Sequence, residues 1–233
     1  MSGTLYGVGV GPGDPELLTL KAHRLISSAV TVAYPAPDSG ASFARSIVAA
    51  FIPKAAREIP IVIPMRSERF PAQAIYDRAA DEIAEALQHG DVVVLCEGDP
   101  FFYGSFMYLF ARLAGRTPVR IVPGVTSMTA CAAAVQRPLC ARNEVLSALP
   151  ATLPDDELRA LIARPGALAI MKVGRHLPRV RALLAEAGLE RRAAFVSHAS
   201  LPHQQAMPLA EAPDTAPYFS MILVPGDDPH AGS

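Results

Sequence analysis

Over its first 135 residues the chain alternates short, continuously apolar runs with stretches of helical period, and it does so five times. The runs Leu5–Val10, Val30–Tyr34, Ile59–Ile63, Val92–Glu97 and Arg120–Val122 predict strands. The stretches 15–27, 43–51, 73–89, 104–114 and 127–135 predict helices. A strand that is apolar at every position, such as VVVLCE, is covered on both faces, as in a parallel sheet flanked by helices. Right-handed crossovers then bring every loop that follows a strand to one edge of the sheet.

The pattern changes near Pro138 in QRPLCAR, which places a junction between a domain 1–138 and a domain 139–233. Beyond it, Val145–Leu149, Ala167–Val173, Ala194–Ser197 and Ser220–Val224 predict strands, with helices over 156–163 and 177–187. No clear helix separates the last two strands, so antiparallel pairing and a mixed second sheet are expected. The tail after Pro225 is expected to be loose. A hydrophobic share of 51% over 233 residues is enough for two packed cores. Lys and Arg total 21 against 22 Asp and Glu, a net charge of -1, which argues against a broad nucleic-acid footprint. The three cysteines, Cys96, Cys131 and Cys140, form no CxxC pair, so neither a disulfide framework nor a zinc site is expected. MSGTLYGVGV has no basic leader, and no apolar run reaches the roughly 18 residues of a membrane span. A soluble, cytoplasmic protein is the expectation.

GVGVGPGDPELLTL, residues 7–20, places four glycines after the first strand. A dinucleotide fingerprint needs glycines at i, i+2 and i+5, and every register fails, at Pro12, Asp14 or Glu16. The second strand, VTVAYP, carries no acidic residue at its end, and no Lys-Ser/Thr pair follows the loop as a phosphate-binding P-loop requires. What remains is a sharp turn in which glycine lets the backbone approach either a ligand or another chain segment closely. Asp14 caps the next helix, with Pro15 at its first position. CEGDPFFYG (96–104) and VPGVTSMTACAA (122–133) follow the fourth and fifth strands to the same edge. Three such loops together predict a ligand cleft there.

These three stretches resemble the tetrapyrrole methylase family, through GVGVGPGDPELLTLKA (7–22), LCEGDPFFYG (95–104) and PGVTSMTACAA (123–133). AIMKVGRH (169–176), FVSHASLPHQ (195–204), APYFSMILV (216–224) and VAYPAPDSGASFARSIV (32–48) are similar to the branch acting on C20 of precorrin-2. The resemblance implies a two-domain α/β fold, with a parallel five-stranded first sheet, a mixed second sheet and a cofactor cleft between the domains. It implies S-adenosyl-L-methionine as methyl donor, a tetrapyrrole substrate, a homodimer, no metal, and precorrin-3A as product in corrin synthesis. Carried over by position, Pro12, Glu97, Gly98, Asp99, Phe102, Thr126, Ser127, Val173 and Ala199 are the cofactor residues. Candidate clamps for the substrate carboxylates are Arg45, Arg142, Lys172, Arg175 and His176. No residue is identified as the proton acceptor. SHAS at 197–200 departs from the family, whose members often carry an acidic residue after the valine; Gly104-Ser105 is a smaller departure.

Plainer roles stand beside these. Lys172, Arg175 and His176 also fit a solvated helix start, Arg66 and Arg69 a surface, Asp99 a cap, and Cys96 and Cys131 small apolar packing. His198 and His203 lack an acidic partner for a metal. Other substrates in the same family (cobalt-precorrin-2, RNA or a protein) and a non-catalytic anion- or nucleotide-binding module are the competing functions.

Overall fold

The computed structural model describes residues 3–63 and 70–226. Arg66, Arg69 and the tail past Gly226 lie outside the described residues. The chain divides into two compact units, Met1–Thr126 and Ser127–Ser233.

In the first unit, β1 (Leu5–Gly9), β2 (Thr31–Pro37), β3 (Arg57–Ile63), β4 (Val92–Cys96) and β5 (Val119–Val122) form one sheet. Its order is β3-β2-β4-β1-β5, with every pairing parallel. The helices are α1 (Leu20–Ser27), α2 (Phe43–Val48), α3 (Phe70–Ala86) and α4 (Phe106–Leu113). All five residues of β4 are buried, because alternate side chains enter different cores. Val93 and Leu95 pack with Ala22, Ile26, Ala44 and Ile47 of α1 and α2. Val92, Val94 and Cys96 pack with Ile83, Leu109 and Leu113 of α3 and α4. The crossovers from β1 and β2 run one way along the sheet and those from β3 and β4 the other. Right-handedness therefore puts α1 and α2 on one face and α3 and α4 on the opposite one. Neighbouring strands β1 and β4 send their connections in opposite directions, which makes their carboxyl ends a topological switch point.

In the first unit two elements depart from the sequence reading. The helix expected from Pro15 is broken: Asp14 caps a single 3-10 turn over Pro15–Leu17, Leu18 is extended, and Thr19 caps α1 through the Ala22 N–H. A threonine at that point offers the backbone a new helix start. Strand β2 continues through Pro35 and Pro37, which pair with β3. These prolines lie past Ala33, the last residue paired with β4, so no hydrogen bond of that ladder is lost.

In the second unit, β6 (Leu146–Pro150), β7 (Ala167–Met171), β8 (Ala194–Ser197), β9 (Gln205–Pro208) and β10 (Ser220–Val224) form a mixed sheet ordered β6-β7-β10-β8-β9. β6 and β7 are parallel and the other pairings antiparallel, including the expected one between β8 and β10. The helices are α5 (Ser127–Val135), α6 (Asp155–Ile162) and α7 (Leu177–Glu186). The boundary between units falls before α5 rather than after Pro138. Helix α5 packs against β8, β9 and β10, and the Arg137 guanidinium just beyond it donates to the Arg192 carbonyl.

Candidate functional site

The carboxyl edge of the first sheet is built by loops that bind one another. Gly11 and Gly98 form an antiparallel bridge, N–H to carbonyl in both directions, at 3.3 and 2.8 Å. The Asp99 carboxylate accepts from the Phe101 N–H at 2.9 Å and from the Gly124 N–H at 3.1 Å, joining the loops after β4 and β5. A Cβ on Gly9 would lie 2.5 Å from the Gly98 carbonyl oxygen, and one on Gly124 2.0 Å from it. A Cβ on Gly7 would enter the Phe106 ring of α4 at 2.5 Å. These glycines therefore serve the approach of other chain segments. The Gly11, Gly98, Gly124 and Phe101 N–H groups are all taken by internal partners. Those four amides are therefore not available to cradle a phosphate.

Acidic groups stand at the same edge. Glu97 is largely withdrawn from water, and desolvation pushes its carboxyl above the usual range although its own N–H and that of Ala44 bond it. Asp99 holds loops together rather than capping a helix. Pro12 is half-buried between Gly11 and Gly13, and Phe102 stands edge-on to Tyr103 at 5.3 Å. Thr126 ends the first unit and Ser127 opens α5.

In the second unit the loops after β7 and β8 meet the start of β10. The Ser220 hydroxyl accepts from the Gly174 N–H at 3.4 Å and donates to the Pro217 carbonyl, while the His198 N–H bonds the Phe219 carbonyl at 2.9 Å. Ser220 is buried at the head of an otherwise apolar strand, and that isolated hydroxyl is the sequence signal that could have marked it. Val173 and Ala199 are buried in these two loops. Lys172 beside Val173, His198 and Ser200 around Ala199, and Tyr103 beside Phe102 all have left-handed backbone, with φ of 58, 51, 67 and 56°. Such strain persists where surrounding structure holds it, and it gathers at ligand sites. His198 and His203 stack at 4.4 Å. Among the described residues no group of three or more His, Cys, Asp or Glu is placed to hold a metal.

The clamp candidates divide. Arg45 is engaged by Glu58 through two hydrogen bonds, at 2.5 and 2.8 Å, and lies over the Tyr34 ring. It braces α2 against β3 instead of reaching for a ligand, because a bidentate carboxylate already occupies its fork. Lys172 and Arg175 are exposed on the turn after β7, and Arg142 is exposed with φ 47°. His176, in that turn, is held below its usual pKa by partial burial and by Arg179 and Arg175.

A parallel sheet with a switch point, followed by a mixed sheet with left-handed residues in the loops after β7 and β8, defines a two-unit α/β protein. The description Tetrapyrrole (Corrin/Porphyrin) Methylases matches residues 4–213, and the chain belongs to that family. It is 41% identical to the precorrin-2 C(20)-methyltransferase of a Sinorhizobium species, over 96% of each chain. It is 33% identical to the cobalt-precorrin-2 C(20)-methyltransferase of Salmonella typhimurium, over 96% of this chain and 97% of that one. The fold resembles the uroporphyrin-III C-methyl transferase of Thermus thermophilus complexed with S-adenyl homocysteine, with TM-score 0.70 and 27% identity over 96% of this chain and 92% of that one.

Proposed function

We propose that the protein is an S-adenosyl-L-methionine-dependent methyltransferase that converts precorrin-2 to precorrin-3A by methylation at C20, a step of cobalamin synthesis. The observation that carries this reading is the 41% identity to the Sinorhizobium enzyme over 96% of both chains. The internally bonded amides of Gly11, Gly98 and Gly124 support it against the anion- or nucleotide-binding alternative. The greater identity to the metal-free than to the cobalt-precorrin relative favours the metal-free substrate.

When bound, S-adenosyl-L-methionine supplies a methyl group already activated by its sulfonium. Pro12, Glu97, Gly98, Asp99, Phe102, Thr126, Ser127, Val173 and Ala199 are proposed to hold it. The protein's contribution is to keep donor and acceptor carbon in line, which is worth roughly 7–11 kcal/mol. Arg142, Lys172, Arg175 and His176 are proposed to meet the substrate carboxylates. Arg45 acts at a distance by fixing α2. A cytoplasmic homodimer is proposed on the family resemblance, and light scattering at twice the chain mass is its test.

The decisive assay incubates the protein with methyl-labelled S-adenosylmethionine and precorrin-2, then locates the label. The expected product carries it on C20, with faster turnover on the metal-free than on the cobalt-loaded substrate. No transfer, or label on another carbon, overturns the reading.

A further inference from the structure

Helix α4 carries two apolar stripes, and the chain's own fold covers one of them. Phe106, Leu109 and Leu113 are buried in the core that holds Ile83 and Val94. Met107, Phe110 and Ala111, with Ala114 just past the helix, recur at i, i+3, i+4 and i+7, the spacing of a face that belongs against another element. All four are exposed. Met107 and Phe110 keep 36% and 37% of their surface in water. Phe101 lies edge-on to Phe110 at 5.1 Å and, 48% exposed, extends the patch into the loop after β4. Helices α1, α3 and α6 instead place charged residues such as Lys21, Glu85 and Glu157 at their outer positions. The two arginines of α4 and the turn after it are committed to α3: Arg112 pairs with Asp77 at 2.7 Å and Arg116 with Asp81 at 3.8 Å.

We infer that the exposed stripe of α4, with Phe101, is the surface on which a second copy of the chain docks, α4 against α4 across a twofold axis. The inference rests on the homodimer reading above and assigns that contact a place; it does not depend on the substrate. A twofold contact sets the same patch against itself, so a charged patch would repel its copy and an uncharged one does not. The stripe has no charge, and the arginines beside it are already neutralised by α3. A charged partner or an anionic lipid surface finds no free cation on the stripe itself. Shape agrees as well. The twofold axis runs the two helices antiparallel, which brings the bulky Met107 end of each toward the small Ala114 end of the other. Phe101, Met107 and Phe110 with the two alanines leave on the order of 300 Å² of apolar surface in water, a fitting centre for a pair that hides about 800 Å² per partner.

Sedimentation over a dilution series, with far-ultraviolet circular dichroism as the check of folding, tests this on the wild type, Ala111→Glu and Met107→Lys. Ala185→Glu, the same change at an exposed position of α7, is the control. Ala111 is exposed, so its glutamate removes no packing within the chain and buries a charge only where a second copy covers it. The wild type is expected to be a dimer. Ala111→Glu and Met107→Lys should stay folded and weaken pairing about a hundredfold, with the control unchanged. Mixing Ala111→Glu with Ala111→Lys should restore a dimer, which a general loss of stability would not do. A dimer that survives both stripe variants, a control that dissociates equally, or a mixture that fails to pair overturns the assignment of this face. A wild type that stays monomeric at every concentration overturns the homodimer reading itself.

Discussion

Arg45 shows how a residue's chemistry depends on what lies across the sheet. From the sequence it is one of several basic groups available to a polyanionic substrate. In the fold, β3 presents Glu58 opposite the start of α2, and the two close a bidentate pair beside Tyr34. Glu58 is held below its usual pKa, first by the hydrogen bond from Arg45. A depressed carboxyl stabilises the fold above its unfolded pKa, and that contribution is lost as pH falls through its folded value. Both side chains are about one-third exposed, 38% and 29%, so the pair contributes at most about 1 kcal/mol. Arg45→Met is expected to lower urea-unfolding stability by about that amount at pH 7 and by less near pH 3. A loss that is the same at both pH values would mean the pair does not titrate as described.

At the scale of elements, the loops after β1, β4 and β5 are held by contacts that admit no side chain. Gly124 is the tightest position, because its Cβ would stand 2.0 Å from the Gly98 carbonyl oxygen, a backbone atom that no rotamer change moves. Gly124→Ala should cost about 3 kcal/mol in denaturant unfolding and displace the Asp99 carboxylate from the Gly124 N–H. An alanine variant as stable as the wild type would show that the loops do not pack this closely. The identity of most elements was legible, because continuous apolar runs and amphipathic stretches differ in period. Strand β9 was not: Gln205–Pro208 is mostly exposed and has no apolar run, and it is a strand only because β8 offers it an edge.

For the whole molecule, the three cysteines report on both units at once. Burial pushes the Cys96 thiol up to about 11 and the Cys131 thiol up to about 12, whereas Cys140 is exposed. Reaction with a disulfide reagent should modify one thiol rapidly in the native protein and all three after denaturation. Rapid native labelling of two or more would mean that one unit opens readily. The amino-acid sequence determined the strand–helix alternation, the parallel first sheet, the mixed second sheet and the family, because those follow from local periodicity and from motifs that lie within single loops. The tertiary structure alone decided that Gly9 and Gly124 serve the neighbouring loops, that α5 packs with the later strands and that Arg45 is engaged. Each of these depends on which residues, distant along the chain, are brought into contact, and no local pattern encodes that.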